Sequence, residues 1–276
     1  MIVFPKAKIN LGLNIVARRP DGYHDLETVF YPVPLCDALE VLPMDDRFPS
    51  ESDCDLKTTG ISVEGDEQQN LVVKAYHILK QDHPLMGRVH AHLHKAIPTQ
   101  AGMGGGSSDA TSMLLLLNKM FGLNLDNEQL KNYATRLGAD CPFFVQSLPA
   151  YAEGIGERLQ PIGLSLAGWH LGVVRPQVAV STKEAFALVQ PRRPEANCQE
   201  VVMQPVEQWR ERLNNDFEES VFAQYHIIGE VKERLYKLGA TYAAMSGSGS
   251  AVFGLFDKPV SLQHHFADSL TYCLSL

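Results

Sequence analysis

The chain has no apolar run long enough to cross a bilayer and no charged-then-apolar leader, so neither a membrane span nor secretion is expected. Cysteine is scarce. Cys36, Cys54, Cys141, Cys198 and Cys273 are odd in number, scattered, and never spaced C-x-x-C, which excludes a disulfide framework and a zinc ribbon. A reducing, cytoplasmic setting is expected. Positive charge is short as well: 24 Lys and Arg against 32 Asp and Glu leave a net charge of -8. No basic cluster interleaves with aromatics, so no nucleic-acid partner is expected. An anion bound by such a chain must meet a local concentration of positive potential. What remains is an ordinary composition, 45% hydrophobic and 20% charged over 276 residues. That length suits two modest domains, expected at 1–155 and 156–276.

Glycine, by contrast, is concentrated in one place. Between Pro98 and Ala110 lie Gly102, Gly104, Gly105 and Gly106, followed by Ser107, Ser108 and Asp109. Val89, Ala91, Leu93 and Ile97 alternate with polar residues upstream, so a half-buried strand is predicted to run into Pro98. Downstream, Ala110 to Leu117 contains good helix formers and no Gly or Pro. The segment thus reads as a backbone cradle for phosphate opening into a helix, with Ser107 or Ser108 as N-cap. The commoner phosphate motifs fail. No Lys follows Gly106, so this is not a Walker A loop, and neither glycine start completes G-x-G-x-x-G. His-Arg-Asp and Asp-Phe-Gly occur nowhere, which excludes the protein-kinase set.

Two further segments complete a pattern: Pro5-Lys-Ala-Lys-Ile-Asn-Leu11 near the start and Ser246-Gly-Ser-Gly-Ser-Ala-Val252 near the end. The order of the three resembles the GHMP kinases, the small-molecule kinases of galactose, homoserine, mevalonate and phosphomevalonate. Asp21-Gly-Tyr-His24, Gly138-Ala-Asp140 and Gly154-Ile-Gly-Glu157 extend the likeness over Pro5 to about Phe256. They point to the branch whose acceptor is a cytidine-diphosphate ester of a methylated polyol. The resemblance implies an α+β, two-domain fold, with an N-terminal ribosomal-protein-S5-domain-2-like α/β domain and a C-terminal ferredoxin-like α/β domain. It also implies ATP as co-substrate, Mg2+, and a small-molecule acceptor.

Along the chain, residue chemistry and resemblance stand side by side. Lys8 interrupts the apolar alternation of Ala7, Ile9, Leu11 and Leu13, where a charge is costly unless an anion meets it. An edge-strand lysine that blocks aggregation is the competing reading. The family motif makes Lys8 the catalytic lysine, and Asn10, on the same face, a substrate contact. In the turn at Asp21 and Gly22, the resemblance makes Tyr23 a stacking face and His24 a hydrogen-bonding partner for cytosine, with Phe30 lining the polyol pocket. Residues 44–69 read as a hairpin with loops. Asn70 reads as the cap of a helix over Leu71 to Lys80. The family places Asn70 and Lys95 near the adenine of ATP. It assigns the ATP phosphates to Pro98, Gly102, Met103, Gly104, Gly105, Gly106, Ser107 and Ser108, with Ser107 or Ser108 as magnesium ligand. His90, His92 and His94 share one strand face, a geometry open to zinc. The apolar face opposite is the buried one, so solvent-facing histidines are expected.

Asp126 and Gln129 have capping-box spacing before a helix that Gly138 ends. Asp140 then precedes Cys141-Pro142 and reads either as an N-cap or, by the family match, as the general base in contact with substrate. Ser181 to Glu184 form a second capping-box pattern ahead of Phe186, a core residue or a second aromatic against cytosine. Thr182, Gly247, Ser248 and Gly249 are substrate contacts by resemblance. Met103, Thr111 and Phe186 stand where the family more often has Leu, Ala and Tyr, which bears on fine specificity. A sister kinase would have no use for Tyr23 and His24, and a binding-only relative would be expected to lose Lys8 or Asp140.

Overall fold

The computed structural model describes residues 1–63 and 65–276. In chain order its strands are β1 (Ile2–Val3), β2 (Lys6–Arg18), β3 (His24–Cys36), β4 (Ala38–Pro43), β5 (Cys54–Gly60), β6 (Val89–Lys95), β7 (Ala150–Gly154), β8 (Arg158–Pro161), β9 (His170–Pro176), β10 (Tyr242–Met245), β11 (Val252–Phe256) and β12 (Ser269–Ser275). The helices are α1 (Leu71–Asp82), α2 (Gly105–Met120), α3 (Asn127–Leu137), α4 (Thr182–Leu188), α5 (Cys198–Val202), α6 (Phe217–Gln224) and α7 (His226–Lys237). Packing divides them into two compact units: Met1–Ala7, Leu35–Thr99 and Gly104–Ser147 form one, and Lys8–Pro34, Gln100–Met103 and Leu148–Leu276 the other. A single cut at 155 would instead part β7 from β8, which pair within the second unit.

In the first unit the sheet order is β1-β4-β6-β5. β5 runs parallel to β6, so the 44–69 stretch is not the expected hairpin. A parallel neighbour needs a crossover, and α1 supplies it. The strand ahead of the glycine segment is as expected: Val89, Ala91 and Leu93 are buried, while His92 and His94 face outward and share Thr59 Oγ1 at 2.9 and 3.0 Å. Helices α1, α2 and α3 cover this sheet with Tyr76, Leu79, Leu114, Leu117 and Leu130. Burying a side chain of that size is worth about 1.5–3 kcal/mol. Asn70 caps α1 by accepting from Val72 N at 2.9 Å, and the Asp126–Gln129 capping box on α3 is complete.

The second unit holds two sheets, ordered β2-β3-β7-β8 and β10-β11-β9-β12. The latter is antiparallel throughout, and its order is the ferredoxin-like one that the family resemblance implied. Helices α6 and α7 carry Phe217, Val221, Ile228 and Leu235 into the core beside this sheet. The capping box expected at Ser181 does not form: Ser181 precedes α4 without a side-chain cap.

Candidate active site

In β2, alternation places Ala7, Ile9, Leu11, Leu13 and Ile15 in the core, yet the opposite face is buried too. That second face carries Lys8 and Asn10, each 3% exposed. The Lys8 ammonium donates to Asn10 Oδ1 at 2.6 Å and stands 5.0 Å from the centre of the Phe30 ring. Asn10 Nδ2 donates to Thr28 Oγ1 at 3.0 Å, and the Thr28 hydroxyl donates to the carbonyl of Gly12. Every polar atom along this line has a partner, so a buried charge is held in one orientation.

Ser246 ties the same strand to the two glycine motifs within this unit. Its Oγ accepts from Asn10 N at 3.3 Å and donates to the carbonyl of Gly102 at 2.8 Å. Lys8 N donates to the carbonyl of Met103 at 2.9 Å. Gly102 sits at φ +70°, and a Cβ there would fall 1.8 Å from the carbonyl oxygen of Ser246. Only glycine permits that backbone approach. Asn215, buried, donates to the carbonyls of Met245 and Gly247, both at 2.8 Å, and so fixes the near end of the Ser246–Ser250 turn.

The residues expected to meet cytosine are also in this unit. His24 and Phe186 stack on each other, centroids 5.1 Å apart and planes 23° from parallel, while Phe217 meets Phe186 edge-on at 4.8 Å. Tyr23 is 61% exposed beside them in sequence. Burial first, and then the charge of Arg18, push the His24 imidazole below its ordinary pKa, which favours the neutral ring. Thr182 Oγ1 and Ser248 Oγ lie 3.1 Å apart.

The first unit holds Asn70, Lys95, Pro98, Gly104 to Ser108, and Asp140. Helix α2 begins one turn earlier than expected: Gly104, at φ +68°, is its N-cap, and no side chain caps it. Ser107 and Ser108 therefore lie in the first turn rather than ahead of it. A left-handed residue excludes a serine cap here, since capping requires an extended backbone. The helix dipole and first-turn N–H groups suit an anion. Asp140 stands at the head of the short 3-10 helix Cys141–Val145, but its carboxylate makes no capping bond there. Lys95 is 3% exposed, and its ammonium donates to Asp37 Oδ2 and, at 2.7 Å, to Asp109 Oδ2. Desolvation outweighs Lys95 and pushes Asp109 up to about 7.

Thr28, Asp37, Asp109 and Asn215 escaped the sequence reading of roles. Asp37 carries the same mark in the sequence as Lys8: an acid between the apolar pairs Val33/Leu35 and Leu39/Val41 must meet a partner if buried. No such signal marks Thr28 or Asn215.

Comparison with known proteins places this geometry. Residues 70–147 match the GHMP kinases N terminal domain, and residues 199–264 the GHMP kinases C terminal domain. A 4-diphosphocytidyl-2-C-methyl-D-erythritol kinase of Bacteroides fragilis is 53% identical over 93% of this chain and 92% of its own. A crystal structure of 4-(cytidine 5'-diphospho)-2C-methyl-D-erythritol kinase superposes with a TM-score of 0.85 at 32% identity, covering 99% of this chain and 98% of its own. A homoserine kinase from Cytophaga hutchinsonii, at 14% identity and a TM-score of 0.69 over 99% and 95% of the two chains, shares the fold alone.

Proposed function

The chain belongs to the GHMP kinases, and from that membership we propose that it transfers the γ-phosphoryl group of ATP to the 2-hydroxyl of 4-diphosphocytidyl-2-C-methyl-D-erythritol. The reaction gives the 2-phosphate and ADP, on the methylerythritol phosphate route to isoprenoid precursors. One observation carries the substrate: near-full-length identity of 53% to a kinase of that name, far above the 14% shared with the homoserine kinase.

The acceptor is a tertiary alcohol, a poor nucleophile at neutral pH that needs a base and concentrated positive charge. In this proposal Asp140 takes the hydroxyl proton. The Lys8 ammonium, oriented by Asn10, stabilises negative charge on the attacking oxygen and on the passing phosphoryl group. The segment from Pro98 to Ser108 offers backbone N–H groups to the ATP phosphates, with Asn70 and Lys95 assigned to the nucleotide by resemblance. Asn10, Thr182 and the turn Gly247 to Gly249 hold the acceptor, Phe30 lines its polyol, and Tyr23, His24 and Phe186 take the cytosine. For the last role, the His24–Phe186 stack must open or slide to admit a base.

By the family resemblance Ser107 or Ser108, in the first turn of α2, would hold magnesium: Ser107 is half-buried, Ser108 is 1% exposed, and each offers an alcohol oxygen suited to a hard cation. Bound there, the ion would neutralise charge on the phosphates. The soluble small-molecule chemistry needs no membrane, and no helix among the described residues is long and apolar enough to cross one.

The decisive assay is ADP release from Mg-ATP with 4-diphosphocytidyl-2-C-methyl-D-erythritol, homoserine, mevalonate or galactose as acceptor, for wild type and Asp140→Asn. Turnover restricted to the cytidylyl acceptor, reduced about 10²–10⁴-fold in the variant, is expected. Turnover with another acceptor overturns the substrate, and an unimpaired Asp140→Asn overturns the base.

A further inference from the structure

Asp37 belongs to none of the glycine or lysine motifs, yet it is 1% exposed and bonded to two pieces of chain in the first unit, with a third reached through Lys95. Its N–H donates to the carbonyl of Pro5 at 3.0 Å. Its Oδ1 accepts from Ala96 N at 2.6 Å and Ile97 N at 2.8 Å, the two amides just before Pro98. Its Oδ2 accepts from Lys95 Nζ, which also holds Asp109, the residue that follows Ser108. One carboxylate therefore anchors both ends of the Pro98–Ser108 segment, directly at its entry and through Lys95 at its exit. Helix α2 starts against this anchor: a Cβ on Gly105 would stand 2.9 Å from Ile97 Cγ2 and 3.3 Å from Lys95 Nζ.

Stability alone is a poor reason for such a cluster. Fully ionised it combines two carboxylates with one ammonium, and a buried ionic group is commonly replaceable by apolar side chains without loss. What the charges add is directional bonding that apolar packing cannot supply. We propose that Asp37 is a positioning residue for the triphosphate of ATP, acting through the Ala96 and Ile97 amides and through Lys95 to set the shape of the segment from Pro98 to Ser108. The proposal rests on reading that segment as the phosphate holder.

Asp37→Ala, Asp37→Asn and Leu56→Ala test it, the last being a core truncation in β5 of the same unit. Mg-ATP affinity is measured by calorimetry, KM for ATP and for the acceptor by ADP release, and Tm by melting. In Asp37→Ala, Kd and KM for ATP rise roughly tenfold or more, because a displaced cradle loses its alignment, while the KM of the acceptor stays within about twofold. Asp37→Asn keeps an oxygen for the two amides and falls between wild type and Asp37→Ala. Leu56→Ala lowers Tm and leaves ATP binding as in wild type. An Asp37→Ala that lowers Tm without weakening ATP, or weakens ATP no more than Leu56→Ala does, makes Asp37 structural only and overturns the proposal. Should Asp37→Ala fail to fold, an Asp37→Asn with wild-type ATP affinity overturns it equally. A wild type that binds Mg-ATP but releases no ADP sinks the kinase reading and leaves the calorimetric comparison to decide Asp37; one that binds no Mg-ATP sinks both.

Discussion

Replacing Gly102 by Ala is expected to damage stability and turnover together. Residue 102 is at φ +70°, where an L side chain costs about 1–2 kcal/mol before any clash is counted. The added Cβ would meet the Ser246 carbonyl oxygen at 1.8 Å; opening that to the 3.0 Å at which Cβ contacts begin moves the two backbones apart by about 1.2 Å. The oxygen is backbone, so no side-chain rotation relieves the contact. Ser246 Oγ links Gly102 to Asn10, and Asn10 Oδ1 receives the Lys8 ammonium, so the displacement reaches Lys8, the lysine proposed to act on the phosphoryl group, through two hydrogen-bonded residues. A misplacement near 1 Å costs on the order of 10²-fold in rate. The left-handed penalty alone lowers Tm by about 2–8 °C at 2–4 °C per kcal/mol. Gly106→Ala is the control for stability alone: Gly106 is exposed, needs no left-handed backbone, and has nothing nearer its Cβ than Leu71 Cδ1 at 3.8 Å. Melting curves for both variants, and kcat/KM for ATP of Gly102→Ala against wild type, check the reasoning. A Gly102→Ala protein with wild-type Tm and turnover would refute it, because the two backbone segments would then tolerate a Cβ between them.

Two other substitutions separate catalysis from folding. Lys8→Met removes the ammonium but keeps a long apolar stem beside Phe30, so ADP release falls roughly 10²–10³-fold, far out of proportion to the modest drop in Tm expected from leaving Asn10 Oδ1 without its ammonium donor, as melts and steady-state kinetics will show. Glu218→Gln probes pH dependence: burial holds the Glu218 carboxyl above its ordinary pKa despite Lys232, so the folded state favours the protonated form. Its contribution is fully present below the unfolded value of about 4.3 and is lost as pH rises through the folded one; urea midpoints should therefore favour wild type over Glu218→Gln more at pH 4.5 than at pH 7.5.

Local pattern carried most of the fold. The Asn70 cap, the Asp126–Gln129 box, the α3 stop at Gly138 and the outward face of His92 and His94 all follow from short-range rules, and each stands where the residues put it. The misreadings are of two kinds. At residues 44–69 a parallel partner replaced the expected hairpin, because strand direction depends on the crossover through α1 and leaves no local mark. At Ser181, and again at Ser107 and Ser108, a serine in a helix-start pattern does not cap, once because the bond is not made and once because glycine in a left-handed backbone takes the cap position. The supporting residues are harder still. Thr28 reaches Asn10 across 18 positions, and Ser246 reaches Gly102 across 144; spacing rules within one helix or strand are silent at such separations.

The four glycines of the central segment are not four instances of one requirement. Gly102 is needed because another backbone lies where its Cβ would be, and Gly104 because it caps α2 at φ +68°, a left-handed backbone that costs glycine no steric strain. Gly105 is needed because Ile97 and Lys95 occupy the space above it. Each of these three is explained by the protein's own packing, without any ligand. Gly106 is not: it is exposed, helical and unobstructed, a position where alanine would be the better helix former by about 1 kcal/mol. A residue that the fold would rather see replaced is the one whose smallness must serve something outside the chain. In a first-turn helical position, close approach of backbone N–H groups to phosphate is the physical use for it. If Gly106→Ala melts like wild type, or above it, and loses ATP affinity, the cradle is defined by the one glycine that folding does not ask for.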